Sequence, residues 1–104
     1  MAKKIIWSKL AHNDRLNILD YWIKRNKSTA YSIRLNQIFE NTADLISKYP
    51  TIGKQTEIKG IRYEVVKDYL LTYRVVNDYI EILTIWDCRQ DPAKFDRIIK
   101  KSRR

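Results

Sequence analysis

The segment GIRYEVVKDYLLTYRVVNDYIEILTIWDCRQDP, residues 60 to 92, decides the fold of this chain. Its runs 61–67, 69–77 and 79–87 are rich in Val, Ile, Tyr and Thr, which favour strands, and 55–59 is a fourth candidate. Asn77-Asp78 is suited to a two-residue hairpin turn between the last two runs. The segment therefore predicts three or four antiparallel strands.

The residues before this segment follow a different period. KKIIW at 3–7 predicts a short first strand, after which Ser8 is suited to cap a helix running to about Asn26. Ser28 is a candidate cap for a second helix, which Pro50 ends. Each helix has a single apolar stripe at three- and four-residue spacing, so the pair should form an antiparallel hairpin on one face of the sheet.

The last segment, AKFDRIIKK, follows Pro92 and predicts a short basic helix. With 104 residues and no linker, residues 1–104 are expected to form one domain. The predicted fold class is α+β, in the order β-α-α-β-β-β(-α), with a small antiparallel sheet and a two-helix hairpin packed on one face. Alternation along the strands suggests that Arg62, Arg74 and Asp87 share the side of the sheet that the hairpin leaves open.

Charge and cysteine content limit the function classes. Twenty-one Lys and Arg against twelve Asp and Glu give a net charge of +9, which favours RNA, DNA or an acidic protein as partner. No apolar run approaches the ~18–20 residues of a membrane span, so no membrane partner is expected. One cysteine excludes an internal disulfide and favours the cytoplasm, and we interpret Cys88 as a small buried hydrophobe. One histidine and one cysteine do not favour a zinc site, and no cofactor or metal is expected.

The element order, the segment 60–92 and the charge together resemble the RelE/ParE superfamily of bacterial toxins from type II toxin–antitoxin systems. The resemblance runs from the first strand through RQDP and is strongest in DYLLTYRV and in the strand that ends at an arginine-containing turn. It implies one of two activities. RelE-like members cut messenger RNA in the ribosomal A site without metal, using the ribose 2′-OH, whereas ParE-like members inhibit DNA gyrase and are not nucleases. Both imply a cognate acidic antitoxin, encoded in the neighbouring upstream reading frame, whose C-terminal segment wraps the toxin.

The resemblance also implies site residues. Arg89 matches the arginine that such nucleases place after the last strand, and Arg62 lies near a basic position of the first central strand. Asp68-Tyr69 matches an acidic–aromatic pair of one ribonuclease branch, and Phe95 matches a position occupied by tyrosine or phenylalanine. The chain departs from RelE at Leu70, where RelE has an arginine, and at Glu64, which replaces a lysine.

The leading interpretation is a toxin that acts as a metal-independent, ribosome-dependent mRNA endoribonuclease. Arg62, Arg74 and Arg89 would stabilise the phosphate, and Asp68 or Asp87 would assist proton transfer. A further set would contact RNA: Tyr69, Phe95, Arg97, Lys100 and Lys101. The alternatives are inhibition of DNA gyrase and a degenerate toxin kept as a binding module.

Several of these residues also have a structural interpretation. Arg89 could close its turn by pairing with Asp87 or Asp91, and Tyr69, Tyr73 and Trp86 could belong to the core. The C-terminal cations could be a solvated helix end that favours the macrodipole.

Overall fold

The computed structural model describes residues 2–102, so Met1, Arg103 and Arg104 lie outside the described residues. The α+β class and the predicted order of elements are confirmed, and the fourth candidate strand, 55–59, is present only as a two-residue strand at 54–55. The elements are β1 Lys4–Trp7, α1 Lys9–Asn26, α2 Ala30–Lys48, β2 Lys54–Gln55, β3 Ile61–Val66, β4 Tyr69–Val76, β5 Tyr79–Asp87 and α3 Pro92–Lys101.

The sheet has five strands in the order β1-β5-β4-β3-β2. β1 runs parallel to β5, from Lys4 opposite Tyr79 to Trp7 opposite Ile82, whereas the other neighbours are antiparallel. The sheet is therefore mixed: the central strands are antiparallel as predicted, and β1 adds one parallel pairing to the predicted antiparallel sheet. A parallel neighbour needs a long crossover connection, which the hairpin and the central strands supply.

Local signals set the ends of the helices and turns. The Ser8 hydroxyl accepts a hydrogen bond from the Ala11 N–H at 3.0 Å and caps α1 as predicted. α2 begins one residue later than predicted, with Thr29 as N-cap, while the Ser28 hydroxyl accepts from the Ala30 N–H at 3.2 Å. Asn77 takes a left-handed φ of 51° in the two-residue turn between β4 and β5, a conformation that asparagine tolerates.

Helices cover both faces of the sheet. On one face, α1 and α2 bury the main core, which includes Leu35, Phe39 and Tyr73. On the other face, α3 closes a smaller cluster of Ile61, Leu83 and Ile99. The prediction of an open sheet face is therefore wrong. Within residues 2–102, no helix combines the length and hydropathy that crossing a membrane requires.

A β-bulge changes which residues of β5 face each side. Thr72 lies opposite Thr84, but Tyr73 lies opposite Ile82, so Leu83 is an extra residue on β5. As a result, Ile82 and Ile85 both pack in the main core, while Leu83 packs with α3. Simple alternation predicts the opposite for Ile85, and the bulge is the reason that this prediction fails.

Candidate functional site

Asp87 and Arg89 form a closed ion pair where β5 ends. The Arg89 Nε and Nη2 atoms donate to the two Asp87 carboxylate oxygens at 3.0 and 2.9 Å, and the Arg89 backbone N–H donates to Oδ1 at 2.9 Å. Hydrogen bonds from the guanidinium hold the pKa of Asp87 below its ordinary value, and the same bonds raise the pKa of Arg89. Both carboxylate oxygens are thus engaged within the turn, which is one of the two structural interpretations that the sequence offered for Arg89.

A groove of about 450 Å³ lies beside this pair, along the outer edge of β5 between α1 and α3. Aromatic side chains and carboxylates share its wall. The lining includes Asp14, Tyr21, Tyr69, Trp86, Asp87 and Arg89. The charged residues in its lining are two carboxylates, Asp14 and Asp87, and one cation, Arg89.

Asp14 is a groove residue that the sequence did not indicate. Its carboxylate accepts hydrogen bonds from the Thr84 hydroxyl at 2.5 Å and from the Ile85 N–H at 3.1 Å. Burial raises the pKa of Asp14, so the environments of Asp14 and Asp87 shift two carboxylates of one groove in opposite directions. An aspartate within an amphipathic helix carries no sequence signal for this role. β1 pairs with β5 only as far as Ile82, and the Asp14 carboxylate bonds to β5 beyond that point.

Tyr69 belongs to the core. Its side chain is 2% exposed, its hydroxyl accepts a hydrogen bond from Trp22 Nε1 at 2.9 Å, and its ring packs edge-on against Phe39. Burial is also the main cause of its raised pKa. This burial leaves the ring little surface on which a base could stack, and the RNA contact of Tyr69 stays a prediction.

Asp68 reaches the same end of the sheet as the ion pair. It lies in the exposed turn between β3 and β4, and its carbonyl accepts a hydrogen bond from the Cys88 N–H at 2.8 Å. The turn that follows β5 therefore sits beside this one. Cys88 itself is exposed, contrary to its interpretation as a buried residue, because it lies in the turn and not in the strand.

Arg62 and Arg74 lie on opposite faces of the sheet, so the prediction that they gather beside Asp87 is wrong. In an antiparallel ladder, residues directly opposite each other share a face, and Arg62 pairs with Tyr73 while the preceding Ile61 pairs with Arg74. Arg62 donates to the carbonyls of Gly53 and Thr51 at 2.8 and 3.3 Å.

Arg74 has its own partners on the face that α3 covers. Its Nε donates to Glu81 Oε1 at 2.9 Å, and its Nη1 donates to the Ser102 carbonyl just after α3 at 3.0 Å. These bonds, like those of Arg62, hold the guanidinium against the protein's own surface. Of the five residues predicted to be catalytic, Asp87 and Arg89 contact each other, and Asp68 is linked to their turn through its backbone carbonyl.

The remaining predicted residues lie on α3. Phe95 is half-buried, and its ring centroid lies 5.7 Å from that of Trp86. This contact gives Phe95 a packing role between α3 and the sheet. Arg97, Lys100 and Lys101 are exposed, and their contact with RNA stays a prediction. The described part of the chain contains no group of three or more His, Cys, Asp or Glu side chains placed to hold a metal ion.

Comparison with known proteins yields a match to one family model and a match in fold to a solved structure. The family model described as "ParE toxin of type II toxin-antitoxin system, parDE" matches residues 5–92. Among solved structures, a chain from the chromosomal ParDE toxin–antitoxin system of P. aeruginosa matches with a TM-score of 0.73, covering 83% of this chain and 96% of that chain at 18% sequence identity. At this identity the likeness shows the fold alone. No curated protein matches the sequence.

Proposed function

Because the chain belongs to the ParE toxin family of type II toxin–antitoxin systems, we propose that it arrests growth by binding and inhibiting DNA gyrase, not by cutting messenger RNA. The family implies a cognate antitoxin as partner.

The observation that carries the proposal is the dispersal of the groups that RNA cleavage would need. Cleavage through the 2′-OH requires cations around one phosphate, with a base and an acid within hydrogen-bond reach of the reacting oxygens. Arg62 and Arg74 are bonded to other groups on opposite faces of the sheet, and Asp87 is occupied by Arg89. A carboxylate with a lowered pKa is also a weaker base. This arrangement favours a binding protein over a nuclease.

The surface of the helical hairpin is suited to a protein partner. Large apolar side chains left exposed are candidates for contact with another protein. Several apolar side chains of the two hairpin helices are exposed, with Ile33 66% exposed and Leu16 52%; the set is Leu10, Leu16, Tyr21, Ile23, Ile33 and Leu45. We assign this surface to protein recognition, and the charge of +9 favours an acidic antitoxin. Either bacterial target places the toxin in the cytoplasm.

Ribosome-dependent mRNA cleavage is the second candidate, and one observation favours it. Asp87 and Arg89 line a groove at one end of the sheet, and the backbone of Asp68 bonds to the turn between them. Opening of the Asp87–Arg89 pair by an incoming phosphate would free a cation and a carboxylate together. In that case Arg89→Ala should abolish cleavage, whereas Arg25→Ala, which removes an exposed arginine at the end of α1, should leave it intact.

A paired assay separates the two candidates. Purified toxin is mixed with gyrase and relaxed plasmid, and the same preparation is added to a message under translation. Stalled supercoiling with uncut message is the expected result, and premixing with the antitoxin should restore supercoiling. Cut message with normal supercoiling would overturn the proposal in favour of the second candidate.

A further inference from the structure

α3 presents a surface made of cations. Its inward side consists of Phe95, Ile98 and Ile99, which are buried or half-buried against the sheet. Its outward side carries four exposed cations, here called the cationic stripe: Lys94, Arg97, Lys100 and Lys101. At 3.6 residues per turn these four side chains fall within an arc of about 120°.

Helix stability does not explain this surface. Lys100 and Lys101 lie in the last turn, where cations favour the macrodipole, but Lys94 lies in the first turn, where a cation is unfavourable. The first turn contains no acidic residue. Among the described residues, none of the four cations has an acidic side chain within ion-pair distance. The macrodipole therefore does not account for Lys94, and among the described residues the four cations have no ion-pair partner.

The composition of the stripe indicates its ligand. Protein interfaces need apolar or aromatic anchors at their centre, and the apolar residues of α3 are turned inward. Phosphate contacts need only cations and hydrogen-bond donors. From Lys94 to Lys101 the stripe is about 10 Å long, which corresponds to about three phosphate intervals along one strand of a duplex.

We propose that the outward face of α3 docks on the sugar–phosphate backbone of nucleic acid, without reading its sequence. α3 lies on the opposite side of the sheet from the hairpin, and all of it except Pro92 lies beyond the matched family segment. The site is thus separate from the surface assigned to protein partners. Lys94 joins the predicted residues Arg97, Lys100 and Lys101, and Phe95 is excluded because it packs inward. The proposal does not depend on whether gyrase or messenger RNA is the target.

The test compares two variants of equal net charge. One carries Lys94→Gln, Arg97→Gln and Lys101→Gln, and the other carries Lys9→Gln, Lys48→Gln and Lys54→Gln at exposed positions on other elements. Binding to a duplex DNA of about 20 base pairs and to a single-stranded RNA of similar length is measured by fluorescence anisotropy over a range of salt concentrations. Thermal melting of both variants verifies that they are folded.

The α3 variant is expected to bind at least about tenfold more weakly at low salt, and its plot of log affinity against log salt should be shallower by about two to three. The control variant should keep most of the affinity and slope. Loss on the duplex alone identifies DNA as the source of the phosphates, and loss on both probes identifies any nucleic acid. Equal losses in the two variants would mean a general charge effect and overturn the proposal, as would the absence of binding by the wild type. Unchanged nucleic-acid binding with weakened antitoxin binding would reassign the stripe to an acidic protein.

Discussion

Asp87 and Arg89 show how a single turn can neutralise two residues of opposite charge. The arginine is half-exposed at 51%, so it can be reached by a ligand, but its donors already serve the carboxylate two residues earlier. A ligand that binds Arg89 must compete with this pair. Exposed pairs of this kind contribute little to stability, so the observable consequence is in titration.

Replacing Arg89 with alanine should raise the pKa of Asp87 towards its ordinary value of 3.8, because the guanidinium hydrogen bonds are the main cause of the depression. A folded-state pKa below the unfolded one stabilises the protein above the unfolded pKa, and this contribution is lost as the pH falls through the folded pKa. Because solvent screens this exposed pair, the melting temperatures of the two proteins should differ only slightly at neutral pH and converge in acid. Carboxyl NMR titration measures the shift directly, with Arg25→Ala as control, and an unchanged Asp87 pKa would contradict the prediction.

Tyr73 is a residue whose hydroxyl holds a loop in place. The side chain is fully buried, and its hydroxyl donates to the Pro50 carbonyl at 2.7 Å and accepts from the Gly53 N–H at 3.0 Å. Gly53 allows this approach, because a Cβ there would lie 2.6 Å from the hydroxyl oxygen. The phenol thus bridges the two ends of the segment Pro50–Gly53, which Arg62 also holds through the Thr51 and Gly53 carbonyls.

Tyr73→Phe removes the partner of a partly buried carbonyl and of a buried N–H, so it should lower the free energy of unfolding by about 1–3 kcal/mol. Urea denaturation measures the loss. Tyr79→Phe is the matched control, since Tyr79 is only partly buried and its hydroxyl makes no hydrogen bond within the described residues. Equal effects of the two substitutions would refute the role of the Tyr73 hydroxyl.

At the scale of elements, the outer edge of β5 is covered by two different means. β1 pairs with it only as far as Ile82. Beyond that point side chains take over: the Ser8 hydroxyl donates to the Leu83 carbonyl at 2.9 Å, and the Asp14 carboxylate accepts from the Ile85 N–H. Exposed strand edges can pair with other chains, so these bonds protect the sheet where its last partner strand ends.

Asp14→Ala should uncover this edge and accelerate hydrogen exchange at the Ile85 amide, while the rest of the β4–β5 ladder stays protected. The free energy of unfolding should fall by about 1 kcal/mol, because water in the groove can replace part of the lost bonding. Asp20→Ala is the control, since Asp20 makes only an exposed pair with Lys24. An Ile85 amide that exchanges at the wild-type rate would rule out this role.

The whole molecule is built from two cores of unequal size on opposite faces of one sheet. The hairpin side contains most of the buried apolar side chains, whereas the α3 side has a small cluster around Ile99. α3 is fixed by this cluster and by the bond from Arg74 to the Ser102 carbonyl. The two faces should therefore differ in how far a local loss of packing spreads.

Leu35→Ala in the main core should lower the free energy of global unfolding by about 2–5 kcal/mol. Ile99→Ala should instead release α3 locally, so that its amides lose protection from hydrogen exchange while those of α1 and α2 keep theirs. Ile33→Ala, at a position 66% exposed, is the control and should change stability by less than about 0.5 kcal/mol. If the amides of α1, α2 and α3 all lost protection equally in Ile99→Ala, α3 and the main core would unfold as one cooperative unit and the prediction would be wrong.

The order of the elements, the Ser8 cap, the Asn77 turn and the hairpin's single buried side could all be predicted from the sequence. Each depends on local periodicity or on the steric preference of one residue, and such signals lie within a few positions of the chain. The resemblance to the toxin superfamily rests on the same local pattern. In the candidate site, the position of Arg89 after the last strand and its pairing with Asp87 were accessible in this way.

Only the tertiary structure decided which side chains share a face. The extra residue Leu83 on β5, the separation of Arg62 from Arg74, the parallel pairing of β1 with β5 and the contact of Asp14 with Ile85 all depend on the register between distant segments. A shift of one residue in register moves every side chain of a strand to the other face, and no residue within the strand encodes that choice alone. Register is fixed when the helices bury one face of the sheet, so the grouping of the charged side chains is a property of the packed molecule.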